Sequence, residues 1–230
     1  MNHFVFSAAL ASLFSLITAL IAWCYYPASR VSRILGTYWF SIAFWSFFVG
    51  SQPHSIKLFS PFWWGWFLHL GCTFIPVLLF HFVVLFTKSN NKTFRFSLVT
   101  SYVMTGVFNL LNLLTPTFTY GTEYRDWYAY PKPAIFYPIY FAFFIILVIW
   151  STILLVRYVM EMFAGGIFTN RFRLFLLLTA HVLAYMGGMD NFLIMADIRI
   201  PPLYPYGLYP ILLYALATIY NKEELCRATT

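Results

Sequence analysis

Charged side chains are scarce in this sequence: Asp, Glu, Lys and Arg together account for 9% of its 230 residues, whereas 61% are apolar and 23% are aromatic. Soluble domains typically carry about a quarter of their residues as charges, so this composition excludes an ordinary soluble globular domain. It predicts a polytopic membrane protein with the lipid bilayer as its main surrounding. The formal net charge of +7 does not indicate a nucleic-acid partner, because the basic residues fall between apolar segments.

Motifs for catalysis and cofactor binding are also missing. The three cysteines, Cys24, Cys72 and Cys226, show no CxxC spacing, which indicates neither a metal site nor a disulfide framework. The sequence has no Gly-rich phosphate loop, no HExxH and no GxSxG, so we expect neither enzyme activity nor a cofactor in this chain. No lysine lies inside an apolar segment, which excludes a retinal Schiff base.

Seven apolar segments are present, and we predict that each forms a membrane-spanning helix. They cover residues 4–25, 34–50, 62–86, 96–114, 135–157, 174–196 and 203–220, and residues 221–230 follow as a cytoplasmic tail. The third segment is uncharged and long enough to cross a hydrocarbon core of about 30 Å, so we expect the others to pack around it. Its proline, Pro76, removes one backbone hydrogen bond and is expected to bend the helix, a defect that is tolerated when neighbouring helices cover the freed carbonyl. The Tyr- and Pro-rich connection 115–133 is a candidate lid over one face.

The basic residues are distributed unevenly between the two sets of connections. One set, together with the tail, contains ten: Arg30, Arg33, Lys88, Lys92, Arg95, Arg157, Arg171, Arg173, Lys222 and Arg227. The other set contains four: Lys57, Arg125, Lys132 and Arg199. The positive-inside rule therefore predicts an N-terminus outside and a C-terminus in the cytoplasm. The expected fold is an all-α, seven-transmembrane helix bundle.

A few polar residues inside the apolar segments are candidates for binding a signal. Asp190, which is followed by Asn191, is costly inside a bilayer and is expected to face the bundle interior or a water-filled cavity. Asn109 and Asn112 lie three residues apart on one helix face, and with His69 they belong to the outer half of the predicted bundle. These residues either line an outward-opening pocket or make hydrogen bonds between helices, and the residue types leave both readings open.

His81 and His181 are predicted at similar depth in the inner half of the bundle. Paired histidines on facing helices can ligate a haem, so a haem or quinone carrier is an alternative function. The other interpretation of both histidines is interhelical hydrogen bonding. Proline-bent helices offer parts that move, and we expect Pro76, Pro205 and Pro210 to take part in signal transmission.

Three stretches together resemble the N-terminal seven-transmembrane sensory region of bacterial membrane histidine kinases and related signalling proteins. They are residues 32–50 (SRILGTYWFSIAFWSFFVG), residues 74–88 (FIPVLLFHFVVLFTK), and residues 187–220 with Gly-Gly, Asn191, Pro-Leu-Tyr-Pro at 202–205 and Leu-Leu-Tyr-Ala at 212–215. The resemblance covers the whole chain in order and length.

This resemblance implies a sensor in the cytoplasmic (inner) membrane that detects an extracytoplasmic or membrane-soluble signal, such as a small apolar or amphipathic ligand. The signal would pass through the seventh helix to a cytoplasmic signalling domain, as in two-component systems, or to a membrane protein partner. Family members continue past the seventh helix and commonly act as dimers. We therefore expect a homodimer that is either an excised sensor or a stand-alone member. The alternative from another class is a non-catalytic accessory or scaffold subunit of a membrane complex.

Overall fold

The fold is given by a computed structural model, which describes residues 3–25, 27–51, 61–89, 91–125, 128–164, 171–188, 192–193 and 198. The elements in chain order are the helices α1 (His3–Tyr25), α2 (Arg30–Gly50), α3 (Pro61–Phe86) and α4 (Lys92–Leu114), the strands β1 (Thr119–Arg125) and β2 (Tyr128–Pro133), and the helices α5 (Tyr137–Ala164) and α6 (Arg171–Gly188). The first six predicted segments correspond in order to α1 to α6. The seventh, 203–220, lies outside the described residues.

Four of these helices, α1, α3, α4 and α5, are long and apolar enough to cross a membrane. Their apolar stretches are Val5–Cys24, Trp63–Phe86, Lys92–Leu114 and Tyr137–Ala164. The described part of α6 contributes a shorter apolar stretch, Leu174–Met186. A helix satisfies its own backbone hydrogen bonds in lipid, so a mostly helical chain with four such helices is a multi-pass membrane protein.

Side-chain caps explain why α2 and α4 begin earlier than hydropathy predicts. The Ser29 hydroxyl accepts a hydrogen bond from the Ser32 amide at 3.3 Å, and the Asn91 side chain accepts one from the Phe94 amide at 2.9 Å. Ser and Asn are favoured at this position because they satisfy amides that the first helical turn leaves unpaired. Each helix therefore gains a polar first turn that hydropathy assigns to the preceding loop.

The central helix of the described bundle is α3, as its sequence predicts. It packs against α2, α4, α5 and β1. In the apolar part of α3, 78% of the residues are buried inside the protein, compared with 22% in the apolar part of α4. The close approach of α2 depends on Gly71, where an added Cβ would lie 2.9 Å from the Trp45 amide nitrogen. Protein rather than lipid therefore covers most of α3.

Helices that follow one another in sequence run antiparallel, so the bundle has two distinct ends. The Trp64 indole donates a hydrogen bond to the Phe48 carbonyl at 3.0 Å, which joins the start of α3 to the end of α2. In contrast α3 and α5 run parallel, and the Phe86 and Tyr158 rings meet near their C-termini with centroids 5.4 Å apart. We call the end with β1 and β2 the hairpin end. The opposite end, with the α1–α2 turn and the α3–α4 loop, is the basic end.

The connection between α4 and α5 forms an antiparallel hairpin of β1 and β2, with an irregular register between Thr119 and Thr122. At its base the Ala134 amide donates a hydrogen bond to the Phe118 carbonyl at 2.9 Å. The prediction of an all-α fold is incomplete here. Tyr and Thr favour strands, but hydropathy gives no signal in so polar a segment. The prolines of β2 are tolerated because a two-stranded sheet leaves edges free.

Candidate functional site

The backbone carbonyl that Pro76 frees is covered by a side chain of α5. Pro76 has no amide hydrogen, so the carbonyl of Cys72, one turn earlier in α3, loses its partner within the helix. The Tyr140 hydroxyl donates a hydrogen bond to this carbonyl at 3.2 Å, and the Cys72 sulfur lies 3.3 Å from the same hydroxyl oxygen. Because the hydroxyl hydrogen goes to the carbonyl, the thiol is the donor in the second contact. Tyr140 therefore completes the backbone of α3 from a neighbouring helix.

An aromatic cluster surrounds Tyr140 beneath the hairpin. Tyr140 is fully buried, and the Phe118 and Tyr137 ring centroids each lie 5.5 Å from its own. His69 contacts both neighbours edge-on, at 5.4 Å from Phe118 and 5.7 Å from Tyr137. The Tyr137 hydroxyl is buried without a hydrogen-bond partner in the described part of the chain. Since Phe118 directly precedes β1, the cluster connects the hairpin to α3 and α5.

His69, predicted as a ligand contact, is enclosed in this cluster. Only 1% of the residue is exposed, and its Nδ1 lies 2.9 Å from the Gly65 carbonyl oxygen. A carbonyl only accepts, so Nδ1 carries the hydrogen and donates it, which leaves Nε2 as the acceptor of the neutral ring. The histidine therefore lies in the protein interior at the hairpin end.

Asn109 and Asn112 bind neighbouring elements. Asn109 donates through Nδ2 to the Thr73 hydroxyl of α3 at 2.8 Å, and its Oδ1 is buried without a partner among the described residues. Asn112 accepts from the Thr119 hydroxyl of β1 at 3.0 Å, and its Nδ2 lies 3.5 Å from the Trp66 carbonyl oxygen in α3. The two amides thus connect α4 with α3 and with the hairpin.

His181 links α6 to α5 in the bundle interior. It is 1% exposed, and its Nε2 lies 2.9 Å from the Thr152 hydroxyl oxygen, which is itself 2.8 Å from the Val148 carbonyl oxygen. The Thr152 hydroxyl donates its single hydrogen to the Val148 carbonyl, so its oxygen accepts a hydrogen from Nε2–H of His181. The Thr152 hydroxyl and the Nε2–H group are then both satisfied as donors. Nδ1 is then a buried acceptor, without a partner among the described residues. The adjacent Tyr185 hydroxyl lies 3.2 Å from the Tyr38 hydroxyl, which extends the contact to α2.

The two histidines considered as haem ligands bind different helices. His81 Nδ1 lies 2.8 Å from the Tyr102 hydroxyl of α4, whereas His181 binds α5. The described contacts do not bring the two imidazoles together. Within the described ranges there is also no group of three or more His, Cys, Asp or Glu residues that could hold a metal ion.

Several predicted site residues lie outside the residues that the structure describes: Asp190, Asn191, Pro205 and Pro210. The same holds for the tail 221–230. The signal pocket expected around Asp190 and the role of the seventh segment therefore stay predictions.

Sequence reasoning missed the tyrosines that join the helices, Tyr140 among them. The chain contains 17 tyrosines, so residue type does not single out the one that binds a freed carbonyl. The available signal was Pro76, which predicts an unpaired carbonyl at Cys72 and hence a nearby donor. That signal does not say which helix provides the donor.

In comparisons with known proteins, no family model matches the chain, and no curated protein matches it.

Proposed function

We propose that this chain is a membrane-embedded sensory domain, which detects an extracytoplasmic or membrane-soluble signal and transmits it to a cytoplasmic output module of the histidine kinase type. The observation that carries the proposal is the hydrogen bond from Tyr140 to the carbonyl freed by Pro76. This bond makes the backbone of the central helix depend on a side chain of another helix. A displacement of α5 therefore acts directly on α3, as transmission through a helix bundle requires.

The aromatic cluster provides a route from the hairpin end to this bond. The Phe108 ring of α4 lies 6.0 Å from Phe118 and 5.5 Å from Tyr140 of α5. With His69 of α3, which also contacts Phe118, rings from three helices meet at the hairpin base. A small apolar or amphipathic molecule that inserts there has to displace rings that contact Tyr140. Such a ligand shifts the balance between two packings only if it binds one of them more tightly.

The test joins the full chain to the cytoplasmic module of a histidine kinase and measures autophosphorylation in membrane vesicles, normalised to the amount of folded protein. Tyr140→Phe keeps the ring and removes the bond to α3, so we expect a several-fold change in output. Tyr137→Phe is the matched control, because that hydroxyl has no partner among the described residues. An accessory or scaffold subunit would give the same output in both variants, and that result would contradict the proposal.

The finer topology belongs to the same proposal: seven spans in the inner membrane, with the N-terminus outside and the C-terminus in the cytoplasm. Its support is that the antiparallel helices bring Arg30, Arg33, Lys88 and Lys92 to one end of the bundle, the end that the positive-inside rule assigns to the cytoplasm.

Single cysteines at opposite ends of α4 test this orientation. Thr93 lies exposed in the first turn of α4, and Tyr120, which is 60% exposed, lies in β1 beyond the other end. In a background with Cys24 and Cys226 replaced by Ser, a membrane-impermeant maleimide added to intact cells should label Tyr120→Cys and spare Thr93→Cys. Labelling of Thr93→Cys and not of Tyr120→Cys would show that the orientation is the reverse of the proposed one.

A further inference from the structure

The helix ends opposite the hairpin present a group of exposed basic side chains, which we call the basic rim. They come from the first turn of α2, the α3–α4 loop, the first turn of α4 and the C-terminal part of α5. The antiparallel packing of the bundle brings all of these segments to its basic end. The members of the basic rim are Arg30, Arg33, Lys88, Lys92 and Arg157; Arg95, which is also exposed in the first turn of α4, is not counted among them.

No member of the basic rim has an acidic partner among the described residues. Glu161 follows Arg157 by one turn on α5, a spacing that allows pairing, but the two form no ion pair. The one salt bridge between described residues lies at the hairpin end, where Lys132 Nζ is 3.5 Å from Glu123 Oε2. A cation at the hairpin end thus has a protein anion beside it, whereas the cations of the basic rim have none among the described residues and are open to anions from outside.

The apolar surface of the bundle extends up to the basic rim. Phe96 is 74% exposed one turn after Lys92, and Met160 is 65% exposed close to Arg157. Apolar side chains this exposed belong at the edge of the hydrocarbon core, with long basic side chains reaching the polar interface. The basic rim therefore lies at the level of the lipid headgroups.

Lys88 occupies a backbone conformation that favours glycine. Its φ is 54°, the Ser89 amide donates to the Val84 carbonyl at 3.0 Å, and the Lys88 amide donates to the Leu85 carbonyl at 3.2 Å. This pair of bonds ends α3 in a motif whose left-handed position is usually glycine. Glycine would adopt this conformation with less strain, so backbone geometry does not explain why a lysine lies here. Compared with glycine, the lysine adds a positive charge at this end of the bundle.

We propose that the basic rim binds the phosphate headgroups of anionic phospholipids in the adjacent leaflet. Arginine binds phosphate through paired N–H groups and lysine binds it as a point charge. Several cations at headgroup level attract anionic lipids more strongly than zwitterionic ones. Headgroup binding of this kind depends only on the bundle spanning a bilayer and is independent of whether the chain is a sensor.

The test uses the full chain in nanodiscs made from equal amounts of phosphatidylglycerol and phosphatidylcholine, with native mass spectrometry to count retained lipids. We expect phosphatidylglycerol to be enriched about threefold or more. Replacing the five rim residues by Gln should lower the ratio towards one, because their charges cause the enrichment and only Arg95 remains exposed beside them. Lys132→Gln, at the hairpin end, is the control and should leave the ratio unchanged. Equal retention of both lipids by the unmodified chain, or an unchanged ratio in the rim variant, would overturn the proposal.

Two further measurements keep the proposal testable if the five-residue variant does not fold. Lys88→Gly relieves the left-handed backbone, so the thermal midpoint should hold or rise while the phosphatidylglycerol ratio falls. An unchanged ratio in this variant would contradict the proposal. Inorganic phosphate added to the buffer should not lower the ratio, and if it does, the rim binds free phosphate and the lipid assignment is wrong.

Discussion

Replacing Tyr140 by Phe tests most directly how the central helix is held. The variant keeps the ring in the aromatic cluster and removes only the hydroxyl that binds the Cys72 carbonyl at 3.2 Å. Cys72 is buried, and Pro76 cannot provide the amide that this carbonyl would otherwise bind. A buried acceptor left unpaired costs about 1 to 3 kcal/mol, so we expect the free energy of unfolding to fall by that amount.

A second substitution isolates the cause of this loss. In a Pro76→Ala background the new amide at position 76 can donate to the Cys72 carbonyl, as in an uninterrupted helix. Removing the Tyr140 hydroxyl then breaks only the weak contact with the Cys72 thiol. We expect a coupling energy of about 1 kcal/mol or more between the two positions in the double-mutant cycle.

Equilibrium unfolding in mixed micelles, with SDS as the denaturant and circular dichroism as the readout, gives the free energies of all four proteins in the cycle. Tyr137→Phe is the control, because its buried hydroxyl has no partner among the described residues and its removal should be neutral or slightly stabilising. An equal cost of Tyr140→Phe with and without the proline would refute the reasoning. A cost of Tyr137→Phe as large as that of Tyr140→Phe would do the same.

Three further predictions concern contacts of α3, α4 and α6, measured in the same unfolding assay. Gly71→Ala places a Cβ 2.9 Å from the α2 backbone and should lower the free energy of unfolding by about 1 to 3 kcal/mol. Gly106→Ala is the control, because an added Cβ there has nothing within 4 Å, and it should be neutral or stabilising. Equal effects of the two would contradict the close approach of α2 and α3. Asn109→Leu removes the bond to Thr73 and should cost less than about 2 kcal/mol, because interhelical hydrogen bonds in membranes are modest. A larger loss would mean that Asn109 does more than join two helices. His181→Gln keeps an amide donor near the Nε2 position, whereas the shorter side chain of His181→Asn does not. The Asn variant should therefore lose more stability than the Gln variant. The reverse order would contradict the contact of His181 with α5.

The amino-acid pattern was sufficient for most helices because a lipid-embedded helix requires a continuous apolar stretch. The predicted segment 62–86 and the observed Pro61–Phe86 agree closely, and α3 is the central helix, as expected for this long uncharged segment. Lack of charge alone does not decide this position, because the stretch Val5–Cys24 of α1 is also uncharged and only 39% buried. The hairpin was not predicted, because strand pairing in a polar connection depends on partners rather than on hydropathy.

Pro76 by itself determines that the Cys72 carbonyl lacks a partner within α3, because a proline nitrogen carries no hydrogen. Only the tertiary structure decides that Tyr140 is the donor, since that bond joins atoms of residues 68 positions apart and depends on how α5 packs on α3. The same holds for Asn109. Its amide is equally able to bind a ligand or a protein hydroxyl, and the position of Thr73 on the neighbouring helix provides the hydroxyl. Local chemistry thus follows from the sequence, whereas the choice of partner follows from distances that only the packed helices establish.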